Sequence, residues 1–191
     1  CKDMGIDMRQ VAEGMGLDAR IGKQFLRAGC GFGGSCFPKD VAGLAAEAER
    51  RGLRPMVMRA ALEVNAEQPL RLLELLDRRT DVRGRTVAVL GLAFKPYTDD
   101  VREASSHTVV AGLLGRGASV RAYDPKAMDN FRRTHPEATY CDSAVECLEG
   151  ADVAVIVTEW PEFAPAELYG DMLVIDGRGV TKTANYEGIC W

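Results

Sequence analysis

The chain has 191 residues, 47% apolar and 27% charged, which suits one large domain or two small ones with a core needing no disulfide or metal staple. Twenty-four basic residues against 28 acidic ones give a net charge of −4, and no basic tract stands out, which argues against a nucleic-acid partner. Every apolar run is far shorter than the ~20 residues that span a bilayer, so no membrane insertion is expected, and no signal peptide opens the chain.

The first residue is Cys1, followed by Lys-Asp-Met-Gly, which reads as a helix end rather than a natural start. A piece of a longer protein is therefore expected, and the missing targeting signal says little about compartment. Ile6, Val11 and Met15 are spaced for a short amphipathic helix. Phe37 to Arg51 reads as a second helix, with Val41, Leu44, Ala45 and Ala48 on one face. Met56 to Arg79 reads as a third, and Pro69 is expected to kink or split it. No good strand lies before Thr80.

Beyond Thr80 the period changes. Thr86–Leu90 is a short β-branched run that Gly91 ends. Ser105 to Gly115 reads as a helix with Ser105 or Ser106 as its N-cap. Further strands are expected over Ala118–Tyr123, Asp152–Val157 and Met172–Ile175, with a helix capped by Ser143 between the first two. Strands alternating with helices predict an α/β fold, a parallel sheet covered on both faces. The boundary between the halves falls near Thr80 to Arg85, dividing the chain into 1–80 and 81–191. Ligands of such sheets sit beyond the carboxyl ends of the strands, so the segments after them are the ones to inspect.

Six cysteines stand at 1, 30, 36, 141, 147 and 190, with no CxxC and no Cys/His cluster. Reduced thiols in a cytoplasmic protein are expected, and no metal site. The densest signal is Gly29-Cys-Gly-Phe-Gly-Gly-Ser-Cys-Phe-Pro-Lys-Asp40. Its glycines allow positive φ and close approach to backbone. Pro38 suits a first helical turn, which puts Cys36 at the helix N-terminus, where exposed amides and the helix dipole favour a thiolate. Asp40 lies one turn on, on the same face, so a covalent site is one reading. The competing reading is a glycine-rich linker with a buried, inert Cys36. Gly91 to Ser106 is not GxGxxG, since only Gly91 is glycine, but Lys95 and Arg102 bring two cations to the ligand edge. A phosphate-bearing ligand and a solvated polar loop both fit it. Trp160 and Phe163 read as packing, and Arg178 in Asp176-Gly-Arg-Gly179 is a weak ligand signal.

Five segments together resemble the UDP-glucose/GDP-mannose dehydrogenase family. They are Gly31–Asp40, Gly91-Leu-Ala-Phe-Lys-Pro96 with Thr98–Glu103, Tyr123-Asp-Pro125, Thr158-Glu-Trp160 and Asp176-Gly-Arg178. The resemblance implies the last part of a helical central (dimerisation) region over 1–80, then a Rossmann-like nucleotide-sugar domain over 81–191. It also implies that an N-terminal NAD-binding domain and an upstream helix with a catalytic Lys and Asn lie outside this chain. The implied chemistry is a four-electron oxidation of a sugar alcohol to a carboxylate with NAD, in a parent that is a homodimer. In it Cys36 forms the thiohemiacetal and thioester, and Asp40 assists proton transfer or positions water. Phe32, Gly33 and Gly34 would bring backbone to the sugar, and Phe94, Lys95 and Arg178 would contact the UDP-sugar. Arg102 would reach toward NAD, and Arg20 would cross to a neighbouring subunit's substrate. The residues 35–40 are most similar to the UDP-glucose branch; GDP-mannose and UDP-N-acetylhexosamine branches remain open, as does a stand-alone nucleotide-sugar binding module. The chain alone is expected to be inactive.

Overall fold

The computed structural model describes residues 1–190. Three helices come first: α1 (Met8–Gly16), α2 (Phe37–Arg50) and α3 (Met56–Arg79). Then follow β1 (Thr86–Leu90), α4 (Ser105–Gly115), β2 (Ser119–Tyr123), α5 (Met128–Arg132), β3 (Thr139–Tyr140), α6 (Ala144–Leu148), β4 (Val153–Ile156), β5 (Leu173–Asp176) and β6 (Tyr186–Gly188). All strands pair in parallel, in the order β3-β2-β1-β4-β5-β6. The chain runs outward from β1 to β3, then returns to lay β4 on the other side of β1. That reversal opens a crevice at the carboxyl ends of β1 and β4.

Alternation along the strands sorts two cores. Val87, Val89, Val120, Val155 and Ile175 face one layer, where Leu72, Leu73 and Leu76 of α3, Val109, Val110 and Leu113 of α4, and Phe131 pack. Ala88, Leu90, Ala154, Ile156 and Val174 face the other, where Cys147, Leu148, Trp160, Phe163 and Tyr169 pack. Both faces of the sheet are covered, as the apolar strand runs predict. The C-terminal half of α3 thus helps cover the sheet.

Three local expectations need correction. Of the two effects expected of Pro69, the split does not occur: α3 is one helix with Pro69 buried inside it. The buried leucines after Pro69 hold the last turns on the sheet, and that burial outweighs one missing helical hydrogen bond. The N-cap of α4 is Ala104, and Ser105 and Ser106 are the first helical residues, both buried. The Ser106 hydroxyl donates instead to the Leu92 carbonyl at 2.6 Å, tying α4 to the turn after β1. On α2 only Ala45 is buried, and Leu44 faces outward. The Ser143 cap is as expected, accepting the Glu146 N–H at 3.1 Å.

His107 of α4 and His135 both stack on Phe131. His107 Nε2–H donates to the Val101 carbonyl at 2.8 Å, so its Nδ1 is the acceptor for His135 Nε2 at 3.0 Å. Burial pushes the His107 pKa down, the Val101 carbonyl opposes this, and His135 adds to the lowering.

Candidate functional site

Two buried aspartates shape the ligand edge. Asp124, after β2, accepts the Leu92 and Ala93 amides at 2.7 and 3.1 Å and the Trp160 indole N–H at 3.1 Å. Its other oxygen accepts the Lys126 and Ala127 amides, both at 2.9 Å. Asp176, the last residue of β5, accepts the amides of Arg178, Gly179, Val180 and Thr181 at 2.7–3.1 Å. Burial pushes its carboxyl above the usual range, against these four donors, which favour the ionised form.

The glycine-rich segment docks onto this edge. The Cys30 amide donates to the Gly177 carbonyl at 3.0 Å, and its buried thiol sits 3.6 Å from the Val157 carbonyl. Burial raises the Cys30 pKa. Arg178 donates from Nε to the Val157 carbonyl at 2.9 Å and from Nη2 to the Gly31 carbonyl at 3.0 Å, and lies 3.5 Å from Glu159. The Gly34 amide donates to the Arg102 carbonyl at 2.8 Å. A side chain at Gly33 would strike the Glu103 carbonyl, and one at Gly34 would come within 2.8 Å of the Phe94 ring. Those glycines are therefore explained by close packing on the 94–103 loop. Asn65 of α3 holds the backbone of Phe32, accepting its N–H at 2.7 Å and donating to its carbonyl at 3.0 Å. The Phe32 and Gly34 amides, expected to be open to a sugar, are thus already donated within the chain.

Cys36 is the N-cap residue of α2 and is exposed, with Ser35 Oγ 3.7 Å from its sulfur. Asp40 follows one turn on, also exposed, its carboxylate 3.4 Å from Lys39. A cavity of about 740 Å³ opens next to this turn, and neither Cys36 nor Asp40 is among the residues that line it. Phe32, Gly33, Phe94, Lys95 and Arg178 line it, with Phe37 next to Cys36. Lys95 Nζ lies 5.2 Å from the Phe94 ring centre. A second cavity of about 540 Å³, against α1 and Trp160, shares Lys23, Arg27, Glu159 and Arg178 with the first. Four basic side chains, Lys23, Arg27, Lys95 and Arg178, thus converge on an aromatic-lined cleft, a combination suited to an anionic ligand with a flat ring.

Arg102 and Arg20 stand apart from both cavities. Arg102 forks onto Asp100 at 2.7 and 2.9 Å and holds that carboxyl below its usual range. Arg20 is exposed and forks onto Asp18 at 2.6 and 3.0 Å. Sequence reading missed Asn65, Lys23 and Arg27, and met Glu159 only as the middle of Thr158-Glu-Trp160, without a role. A lone polar residue on a helix face or loop carries no signal; the one hint at Asn65 is the proline four residues later.

Two family profiles match the chain: the UDP binding domain of the UDP-glucose/GDP-mannose dehydrogenase family over residues 88–183, and the central domain of the same family over residues 1–67. A UDP-glucose 6-dehydrogenase of Haloferax volcanii is 47% identical, over 94% of this chain and 43% of its own length. The solved UDP-glucose dehydrogenase of Pyrobaculum islandicum superposes with a TM-score of 0.94 at 42% identity, over 99% of this chain and 45% of that one. A GDP-mannose dehydrogenase from Pseudomonas aeruginosa superposes with a TM-score of 0.78 at 26% identity, over 100% of this chain and 47% of that one. The chain spans a little under half the length of these relatives. Its fold, its docked cysteine loop and both profile matches agree: the chain belongs to the UDP-glucose/GDP-mannose dehydrogenase family.

Proposed function

We propose that this chain is the sugar-nucleotide half of a UDP-glucose 6-dehydrogenase, with Cys36 as its covalent nucleophile. One observation carries this reading: Phe32, Phe94, Lys95 and Arg178 line one cavity, and Phe37, beside an exposed Cys36, lines it too. Lys95 supplies a cation for the pyrophosphate, Arg178 adds its positive charge while its Nε and Nη2 hold Val157 and Gly31, and the aromatic walls supply contact area for the sugar nucleotide. The UDP-glucose branch is favoured by the higher identity of its solved member, 42% against 26% for the GDP-mannose enzyme.

In this reading the Cys36 thiolate adds to C6 of the sugar aldehyde. A C–S bond forms, the carbonyl pair moves to oxygen, and that oxygen takes a proton to give a thiohemiacetal. After its oxidation to a thioester, water attacks the acyl carbon, Cys36 leaves as thiolate, and the carboxylate is released. Asp40 is assigned to position that water or accept its proton.

The oxidant implied by the resemblance is NAD, and the described residues do not fit it. The turn after β1 has one glycine, every oxygen of Asp124 is already used by amides and an indole, and Arg102 is committed to Asp100. The dinucleotide is therefore assigned to another part of the parent enzyme, a cytoplasmic homodimer in which Arg20 reaches the neighbouring copy's cavity. The chain alone binds without oxidising.

Calorimetric titration with UDP-glucose, with GDP-mannose as control, tests this. Selective binding of UDP-glucose is expected, and Lys95→Ala should weaken it by about 1–3 kcal/mol through loss of a charge-assisted contact. Binding of neither nucleotide sugar would overturn the claim that these residues form a sufficient seat.

A further inference from the structure

Helix α3 runs unbroken through Pro69, and one turn earlier stands Asn65. Proline has no N–H, so residue 69 brings no donor to the Asn65 carbonyl. The Asn65 side chain is turned to the glycine-rich loop. Its side-chain amide meets the Phe32 backbone in both directions, oxygen to N–H at 2.7 Å and nitrogen to carbonyl at 3.0 Å. A side chain has one acceptor and one donor end of this spacing only in Asn or Gln. Gly31 is shaped to that grip. It has a φ of 103°, and a Cβ there would come within 2.9 Å of the Asn65 side-chain oxygen and 3.2 Å of its carbonyl. The Phe32 ring in turn sits edge-on to Phe37, 6.2 Å between centres, and Phe37 is the neighbour of Cys36.

We propose that Asn65 is a positioning residue for Cys36. The inference rests on the functional reading above. By fixing the Phe32 backbone from one side, with Arg178 fixing Gly31 and the Arg102 carbonyl fixing Gly34 from the other, Asn65 sets the turn that presents the thiol to the sugar in the cavity. Asn65 itself borders the cavity, but both ends of its amide are taken by the Phe32 backbone, so it acts through the loop and not on the reacting atoms. Stability of the sheet does not depend on it, because the buried leucines of α3 lie beyond Pro69.

The test compares the full chain with Asn65→Ala and Asn65→Asp. Asn65→Asp keeps the acceptor for the Phe32 N–H but sets a second oxygen against the Phe32 carbonyl. Alkylation of Cys36 by iodoacetamide is followed by peptide mass spectrometry, with and without saturating UDP-glucose, alongside the melting temperature. In the unsubstituted chain UDP-glucose should shield Cys36 by about tenfold or more, because the thiol faces the bound sugar. In both variants that shielding should fall toward none at saturation while the melting temperature stays within a few degrees. A merely structural role would lower the melting temperature and leave the shielding at saturation intact. Should Asn65→Ala fail to fold, Asn65→Asp carries the comparison, and intact shielding there overturns the positioning role alone. No shielding in the unsubstituted chain would overturn the functional reading, and the positioning role with it.

Discussion

The sheet half and the helical half carry similar apolar side chains and treat them differently. In the sheet half every residue of β4 and β5, and four of the five in β1, are buried. In the helical half Phe25 is 87% exposed, Val57 84% and Leu53 63%. Periodicity makes a helix amphipathic in both halves, but only the sheet supplies a partner surface to bury the apolar face. The last turns of α3 are buried on the sheet, and the segments before α3 are tied to the sheet half by polar bonds: Cys30 to Gly177, Gly34 to Arg102, Arg178 to Gly31, and Lys2 to Glu187. Apolar burial is concentrated on the sheet and the α3 turns that cover it, and the exposed Cys36 is carried by the segment outside that core.

The contrast can be broken most directly at α3. Leu76 is fully buried against the sheet, so Leu76→Ala should lower unfolding free energy in urea by about 2–5 kcal/mol. Leu53→Ala should change it by no more than about 0.5 kcal/mol, and a loss as large as that of Leu76→Ala would mean the helical half has a core of its own. At the junction, Gly33→Ala must push against the Glu103 carbonyl, and overpacking of this kind costs about 1–3 kcal/mol. Most of the damage should appear as faster amide exchange in the cysteine loop; faster exchange in β1 and β4 would show that loop and sheet unfold together.

A smaller effect lies within the sheet half and depends on pH. The His107 pKa is lowered in the fold, so the folded chain binds fewer protons than the unfolded one as the pH falls. Its contribution to stability is complete above the ordinary imidazole value of about 6.5 and is lost as pH falls through the lowered folded value. A proton on Nδ1 would also set two N–H groups against each other across the His107–His135 contact. The stability gap between pH 7.5 and 5.5 should therefore narrow in His107→Gln, measured by urea denaturation against the unsubstituted chain. An equal gap in both would remove His107 as the cause.

Much of this fold is legible in the residues, for a physical reason. Strands β1, β2, β4 and β5 lie within one residue of the apolar, β-branched runs that announce them. Strand β3 has two residues, and β6 is a polar Tyr-Glu-Gly made into a strand only by pairing with β5. Neither has a pattern of its own to read. Helix α5, five residues long, is equally silent. Pro69 misleads because local propensity is overruled by the leucines that follow it. At the cleft, the glycines before Cys36 stand out by their density and Lys95 as a cation following β1, while Arg178 is a weak signal alone and is singled out only through the family resemblance. Glu159 and Asn65 are not legible, since their importance lies in what a distant segment brings to them. Ser105 and Ser106 look like caps, yet the Leu92 carbonyl claims Ser106.

The buried aspartates at the ends of β2 and β5 have a consequence for how a ligand is received. Their carboxylates wire the turns after β1, β2 and β5 into fixed shapes, so those turns lose little freedom when a molecule lands on them. Lys23 and Arg27 line both cavities, Gln24 and Phe25 the larger and Leu26 the smaller, with side chains that no such carboxylate holds, and Phe25 among them sits at a positive φ of 61°. On the proposed function, a change of ligand preference would call for rewriting that short stretch. The scaffold beneath it can stay constant while recognition drifts.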